Sequence, residues 1–156
     1  MTETRYPTLL VVEDSDEDFE ALGRIMQRVS DIQLPLTRCI DGDDALDFLY
    51  RTGPYANLES DDLPGLIVLD LNLPGTDGRE VLTQIKQHDR LKEIPVVILT
   101  TSSNPKDIHG CYKSGVNSYV VKPTNIGQLK ESVRLLVDYW FKIAVLPSTN
   151  GFQYEF

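Results

Sequence analysis

Short apolar runs alternate along the chain with longer segments whose apolar residues recur every three or four positions. Four runs cover residues 8–12, 66–69, 96–99 and 119–121. Continuous apolar runs of this length are typical of strands that are buried on both faces of a parallel sheet. A poorer fifth strand is predicted over residues 34–40, and Pro35 near its start places that strand at an edge of the sheet.

The segments between the runs have the periodicity of amphipathic helices. The first helix is predicted over about residues 16–29, with Ser15 as its N-cap. Its buried stripe comprises Phe19, Leu22, Ile25, Met26 and Val29. Later helices are predicted after Asp41-Gly42, over residues 78–88, and from Asn104-Pro105 to about Gly115. The inner stripe of a final long helix comprises Ile126, Leu129, Val133, Leu136 and Trp140.

This alternation of strands and helices predicts an α/β fold, in which a doubly wound, five-stranded parallel sheet carries helices on both faces. One domain is expected over residues 8–137. A polar segment precedes it at residues 1–7, and an extension follows it at residues 138–156.

Composition narrows the class of protein. The chain has 156 residues, 41% of them hydrophobic, enough for one domain with a substantial core. A net charge of −9 argues against a nucleic-acid-binding surface. Cys39 and Cys111 lack the spacing of a metal site, and we expect partly buried, reduced thiols. Since no apolar stretch is long enough to span a membrane, the expected location is the cytoplasm.

Polar residues that can carry chemistry follow four of the five predicted strands. Glu13-Asp14 follows the first strand and Asp70 the third, while Thr100 and Lys122 end the fourth and fifth. The carboxyl ends of parallel strands meet at one rim of the sheet, where such folds bind their ligands. Three acids, a hydroxyl and an amine are therefore expected in one cleft, an arrangement typical of a carboxylate that accepts a phosphoryl group.

Charge repulsion indicates that this cleft needs a cation. Two carboxylates about 4 Å apart repel by roughly 4 kcal/mol at an effective dielectric constant of 20. We therefore expect Glu13, Asp14 and Asp70 to hold Mg²⁺ or Mn²⁺, hard ions that take oxygen ligands. The acidic residues 16–18 are interpreted instead as the first turn of the first helix, where negative charge suits the helix dipole.

The same residues resemble a known family. The chain resembles the receiver domain of two-component response regulators over about residues 8–137. The residues that carry the resemblance are Glu13-Asp14, Asp70 with Asn72 and Pro74, Thr100, and Lys122-Pro123. The resemblance implies a flavodoxin-like sheet of order 2-1-3-4-5. A finer resemblance is to the stand-alone regulators of bacterial and cyanobacterial phytochrome-type histidine kinases. It rests on residues 69–74, 99–102, 139–141 and 146–147.

The resemblance assigns roles to individual residues. It implies a signalling protein, not an enzyme, in which a sensor histidine kinase, such as a phytochrome, phosphorylates Asp70. Lys122 then compensates phosphoryl charge, and the backbone carbonyl of Asn72 completes the metal ligands. Thr100 and Tyr119 are the expected switch pair, which changes the surface formed by the fourth helix, fifth strand and fifth helix. The Lys122-Pro123 bond is a candidate cis peptide.

Three other functions use a similar fold or a similar set of residues. Aspartyl phosphatases use a similar set of residues, but their nucleophile follows the first strand, and Asn72 here replaces their second acid. A flavin-binding module needs a hydroxyl- and glycine-rich phosphate loop where this chain has the acidic run 13–18. A phosphorylation-independent adaptor of the same fold remains the alternative. Tyr119 as a static strand residue also remains open.

The end of the chain is unusually apolar. This region has more apolar residues than one face of the sheet is expected to bury: Leu135, Val137, Trp140, Phe141, Val145 and Leu146. Three aromatic residues, Phe152, Tyr154 and Phe156, follow them. Exposed apolar surface of this kind usually marks an interface. We therefore expect a homodimer through the last helix and its extension. The alternative is that the extension folds back onto its own domain.

Overall fold

The computed structural model describes residues 6–29, 34–59 and 62–147, and its sheet has the predicted architecture. Five parallel strands pair in the order β2-β1-β3-β4-β5. They are β1 (Leu9–Val12), β2 (Leu36–Cys39), β3 (Leu66–Leu69), β4 (Val96–Thr100) and β5 (Ser118–Val121). The helices are α1 (Asp16–Val29), α2 (Gly42–Tyr50), α3 (Gly78–Gln87), α4 (Pro105–Lys113) and α5 (Ile126–Asp138).

Alternate residues of the central strands enter two separate cores. On one face, Leu10, Ile67 and Ile98 pack with side chains from α2, α3 and α4. On the other face, Leu9 and Val68 pack with side chains from α1 and α5. The central strands are buried on both sides, which is why they read as continuous apolar runs in the sequence.

The edge strand β2 is shorter than predicted. Pro35 precedes it and cannot donate to a strand ladder. The N–H of Ile40 donates to the Asp44 carboxylate at 3.0 Å and therefore turns away from the sheet. Ser15 caps α1 as predicted, because its Oγ accepts the N–H of Asp18 at 3.2 Å.

The buried stripe of α5 differs from the prediction. Val133 is buried as expected, but Ile126 is 59% exposed and Val137, predicted to lie off the stripe, is fully buried. A π-helical turn over Tyr139–Ile143 follows α5. Val133, Val137 and Phe141, spaced by four, all belong to the core on the side of α1 and α5.

Part of the extension folds back onto its own domain. Phe141 and Leu146 are 6% and 2% exposed and belong to the core on the α1–α5 side. Leu146 lies where a side chain at Gly65 would contact it. The expectation that these two residues exceed the space on the sheet was therefore wrong. The aromatic residues 152, 154 and 156 lie outside the described residues.

Two smaller expectations concern the cysteines and the membrane. Cys39 and Cys111 are both free thiols, and both are more completely buried than expected. Among the described helices, none combines the length and the apolar character that a membrane-spanning helix requires.

Candidate functional site

The ends of β1, β3, β4 and β5 lie at one rim of the sheet, as the sequence predicted. The strand ladders continue one residue beyond the strands, because the Asp70 N–H donates to the Val12 carbonyl at 3.2 Å and the Lys122 N–H donates to the Thr100 carbonyl at 2.7 Å. These backbone bonds fix the point at which each functional side chain leaves the sheet. Glu13 and Asp70 therefore leave neighbouring strands side by side.

Glu13, Asp14 and Asp70 form a cluster of three carboxylates. One oxygen from each lies within 4.8 Å of the other two. Glu13 and Asp70 are 2% and 9% exposed, and Asp14 is exposed. The Glu13 Oε2 atom is buried, and no residue of the described chain donates a hydrogen bond to it. A buried carboxylate oxygen without a donor, beside two further carboxylates, fits a hard divalent cation.

The Lys122 ammonium joins this cluster from β5. Its Nζ lies 3.0 Å from Glu13 Oε1, 3.2 Å from Asp70 Oδ2 and 3.2 Å from Asp18 Oδ2. The first two contacts match the predicted cleft. The third contact differs from the prediction, in which Asp18 belongs only to the acidic first turn of α1. Its position in the helix that starts beside the rim was the available signal.

The surroundings of the two buried carboxyl groups favour the protonated form of Glu13 and the ionised form of Asp70. Burial, followed by the hydrogen bond with Asp70, raises the pKa of Glu13 to about 8. Burial also acts to raise the pKa of Asp70, but the hydrogen bond from Glu13, the charge of Lys122 and the Asn72 N–H together hold that pKa below its ordinary value. Burial acts to lower the pKa of Lys122, but the hydrogen bond with Glu13 and the charge of Asp70 outweigh burial and raise that pKa above its ordinary value. Asp70 is therefore ionised and nucleophilic beside a charged ammonium.

The loop after Asp70 holds that carboxylate in place. The Asn72 N–H donates to Asp70 Oδ1 at 3.2 Å. The start of α3 presses against this loop, because a Cβ at Gly78 would lie 2.2 Å from the Asp70 carbonyl oxygen. Gly75 has a φ of 69°, a left-handed conformation that favours glycine. The role of the Asn72 carbonyl as a metal ligand stays a prediction.

Thr100, the first member of the predicted switch pair, ends β4, and Tyr119, the second, lies in the neighbouring strand β5. The Thr100 side chain is fully buried, and its hydroxyl makes no hydrogen bond within the described part of the chain. Tyr119 is half-buried, and its hydroxyl donates to the Ser102 carbonyl at 2.8 Å. Ser102 follows Thr100 closely, so both members of the pair contact the same β4–α4 segment.

This network continues to α3. The Ser102 hydroxyl donates to Asp107 Oδ2 at 2.6 Å, and Arg79 Nε donates to Asp107 Oδ1 at 2.7 Å. The hydrogen bonds from Arg79 and Ser102 lower the pKa of Asp107 to about 2. Sequence reasoning missed these residues, because nothing in their spacing links Arg79 to a helix that begins 26 positions later.

One predicted feature is absent. The Lys122-Pro123 peptide bond is trans, so the expected cis isomer was wrong for this structure. The trans isomer of a bond before proline is favoured by about 0.5–1 kcal/mol. Here the trans chain already directs the Lys122 ammonium onto three carboxylates, so the contacts of the site do not require the cis form.

Comparison with known proteins identifies the family. The sequence matches the model of the response regulator receiver domain over residues 9–134. The chain belongs to the response regulator receiver family. This assignment favours the receiver interpretation over the phosphatase and flavin-binding alternatives. It also agrees with the fold and with the order of residues along the rim.

Individual receivers are similar over nearly the whole chain. Response regulator Rcp1 of Synechocystis sp. is 41% identical over 140 residues, which cover 90% of this chain and 92% of Rcp1. The structure of Mn²⁺-bound Rcp1 has a TM-score of 0.85 and covers 91% of this chain and 99% of that one. The phosphorylated cyanobacterial phytochrome response regulator RcpA, 39% identical, also has a TM-score of 0.85, with 92% and 99% covered.

Proposed function

We propose that this receiver accepts a phosphoryl group on Asp70 and transmits the change through the surface of α4, β5 and α5. The observation that supports this role most directly is the 3.2 Å contact between the Lys122 ammonium and the Asp70 carboxylate, whose pKa is lowered. An ionised carboxylate can act as a nucleophile, and the ammonium beside it stabilises the negative charge of the phosphoryl group that it receives.

The proposed reaction is phosphoryl transfer from a phosphohistidine. An Asp70 carboxylate oxygen attacks phosphorus, and a new oxygen–phosphorus bond forms as the phosphorus–nitrogen bond breaks. The imidazole nitrogen leaves with the bonding electron pair and takes up a proton. Lys122 stabilises the negative charge that spreads over the phosphoryl oxygens, and Thr100 donates its unpartnered hydroxyl to one of them.

The same cluster is proposed to hold Mg²⁺ or Mn²⁺. Glu13, Asp14 and Asp70 would supply carboxylate oxygens, and Asn72 its backbone carbonyl. The buried Glu13 Oε2, which lacks a donor within the described chain, supports this assignment. The similar protein Rcp1 has a solved Mn²⁺-bound form. When bound, the cation supplies positive charge that offsets the repulsion between the carboxylates and the phosphoryl group.

The proposed switch runs through Thr100 and Tyr119. A phosphoryl oxygen that attracts the Thr100 hydroxyl moves that side chain towards Asp70 and opens space in which Tyr119 can move. The bond from Tyr119 to the Ser102 carbonyl connects this movement to the segment before α4. A local change in charge thus reaches an outer surface.

The proposed partner is a cytoplasmic sensor histidine kinase, and a phytochrome is the favoured class. This assignment rests on similarity to RcpA, a cyanobacterial phytochrome response regulator. The net charge of −9 does not favour nucleic acid as a partner.

A homodimer through the last helix and its extension is also proposed, on a smaller surface than the sequence suggested. Leu135, Tyr139, Ile143 and Val145 are between 50% and 72% exposed. They remain on the outside after Phe141 and Leu146 enter the core. Burying such a patch against a second copy removes apolar surface from water.

Phosphorylation is tested with Asp70→Asn. Incubated with phosphoramidate and Mg²⁺, the wild-type protein should take up phosphate, whereas the variant should take up at least about 100-fold less because it lacks the nucleophile. The control is Asp89→Asn, which removes one charge from a fully exposed side chain. Phosphate-affinity electrophoresis measures the product. Unchanged uptake by Asp70→Asn, or in the presence of a chelator, would contradict the proposal and favour the adaptor alternative.

A further inference from the structure

The Lys122 ammonium contacts three carboxylates, and one of them is far more exposed to solvent than the other two. The Glu13 and Asp70 side chains are 3% and 11% exposed, whereas the Asp18 side chain is 52% exposed. Glu13 and Asp70 belong to the carboxylate cluster suited to a cation, and Asp18 does not. Asp18 therefore lies on the solvent side of the ammonium, where a phosphodonor must enter.

Charge at this entrance is unbalanced. Among the described residues, the Lys122 ammonium contacts three carboxylates, those of Glu13, Asp18 and Asp70, and Asp14 adds a fourth beside Glu13 and Asp70. A bound divalent cation would still leave a net negative charge, and the most exposed of the acids that contact Lys122 is Asp18. A donor that places a phosphoryl oxygen on Lys122 competes with the Asp18 carboxylate for the same ammonium and is repelled by its charge.

We propose that Asp18 is a specificity-determining residue that disfavours free, doubly charged phosphodonors relative to singly charged ones. This inference rests on the proposed phosphorylation of Asp70. A donor docked as part of a protein partner gains contacts elsewhere that offset the repulsion, and a free small dianion does not. Asp18 thereby biases the receiver towards protein-bound donors.

Two small donors of different charge separate the electrostatic effect from other roles. Acetyl phosphate is a dianion near pH 7, and phosphoramidate is predominantly a monoanion. With acetyl phosphate, the bond from phosphorus to the acetate oxygen breaks, and acetate leaves with the electron pair. With phosphoramidate, the phosphorus–nitrogen bond breaks, and ammonia leaves from the already protonated nitrogen. In both reactions the new bond joins Asp70 to phosphorus.

The experiment compares Asp18→Asn with the wild-type chain at saturating Mg²⁺ and low salt. Asparagine keeps the shape and a hydrogen-bond acceptor for Lys122 but removes the charge. The second-order rate of phosphorylation should rise about twofold with phosphoramidate and about fourfold with acetyl phosphate, since repulsion scales with donor charge. Added salt should reduce both gains.

The matched control is Glu17→Gln, which removes one charge from the same helical turn. Glu17 is exposed and contacts no charged partner within the described ranges, so both rates should stay within about 1.5-fold of wild type. Equal changes with the two donors, or slower reaction with both, would overturn the inference and make Asp18 an orienting partner of Lys122. Absence of phosphorylation in the wild-type chain would instead overturn the proposed function.

Discussion

The two buried carboxyl groups of the site, Glu13 and Asp70, have pKa values shifted in opposite directions. Glu13 and Asp70 contact the same ammonium, yet the pKa of Glu13 is raised to about 8 and that of Asp70 is lowered. Burial, followed by the hydrogen bond with Asp70, raises the pKa of Glu13, whereas the hydrogen bond from Glu13, the charge of Lys122 and the Asn72 N–H outweigh burial at Asp70. These surroundings favour the neutral form of Glu13 and the charged form of Asp70.

The raised pKa of Glu13 predicts how the affinity of the site for a cation depends on pH. Below about pH 8, Mg²⁺ must displace the Glu13 proton, so its apparent affinity should rise about tenfold per pH unit from pH 6 and level off above pH 8. Calorimetric titrations in buffers of different ionisation enthalpy measure both the affinity and the proton released. Glu13→Gln should bind more weakly and lose this slope. An affinity that does not change between pH 6 and 8 would contradict the prediction.

At the scale of elements, the carboxyl ends of the strands carry the reacting groups and the helices hold the segments that follow them. The β3–α3 loop is held by the close approach of Gly78 to the Asp70 backbone. The β4–α4 segment is held by Asp107, which binds Ser102 and Arg79 at once. The position of Tyr119 therefore depends on an ion pair between α3 and α4.

Arg79→Gln tests this ion pair. Because Arg79 is 41% exposed and partly screened by solvent, the free energy of unfolding at pH 7 should fall by only about 1 kcal/mol. The pKa of Asp107 is depressed to about 2, so its contribution is present above pH 4 and is lost as the pH falls towards 2. The difference between variant and wild type should shrink over that range.

Urea denaturation at several pH values measures the effect of Arg79→Gln. The control is Arg24→Gln, since Arg24 and Glu20 form an ion pair whose side chains are 72% and 69% exposed. This control should change the free energy of unfolding by less than about 0.5 kcal/mol. An equally small change in Arg79→Gln would show that the α3–α4 contact contributes nothing.

For the whole molecule, the segment after α5 has two separate roles. Phe141 and Leu146 complete the core on the α1–α5 side, while Ile143 and Val145 stay on the surface. Removing the entire extension would therefore damage the fold and any dimer together. Single substitutions separate these effects.

Phe141→Ala should lower the free energy of unfolding by about 3–5 kcal/mol, because it leaves a cavity beneath the π-helical turn. Ile143→Asp, two residues away and 72% exposed, should change it by less than about 0.5 kcal/mol but weaken self-association. Denaturation curves and analytical ultracentrifugation measure the two effects. A wild-type chain that stays monomeric at high concentration would contradict the proposed dimer.

The order of residues along the chain was enough to predict the alternation of parallel strands and helices, the edge position of β2 and the meeting of five polar residues at one rim, namely Glu13, Asp14, Asp70, Thr100 and Lys122. These features follow from local patterns, because a buried parallel strand must be apolar and its end must place the next polar residue at the edge of the sheet. Residue types at strand ends therefore identify the site before any contact is known.

Contacts between long side chains from different elements could not be predicted in this way. The contact of Asp18 with Lys122 and the path from Arg79 to Tyr119 depend on how each helix is rotated against the sheet. Phe141 is buried from within a π-helical turn that the apolar spacing does not specify. Packing between elements that are distant in the chain sets these contacts, and periodicity within one segment carries no information about that packing.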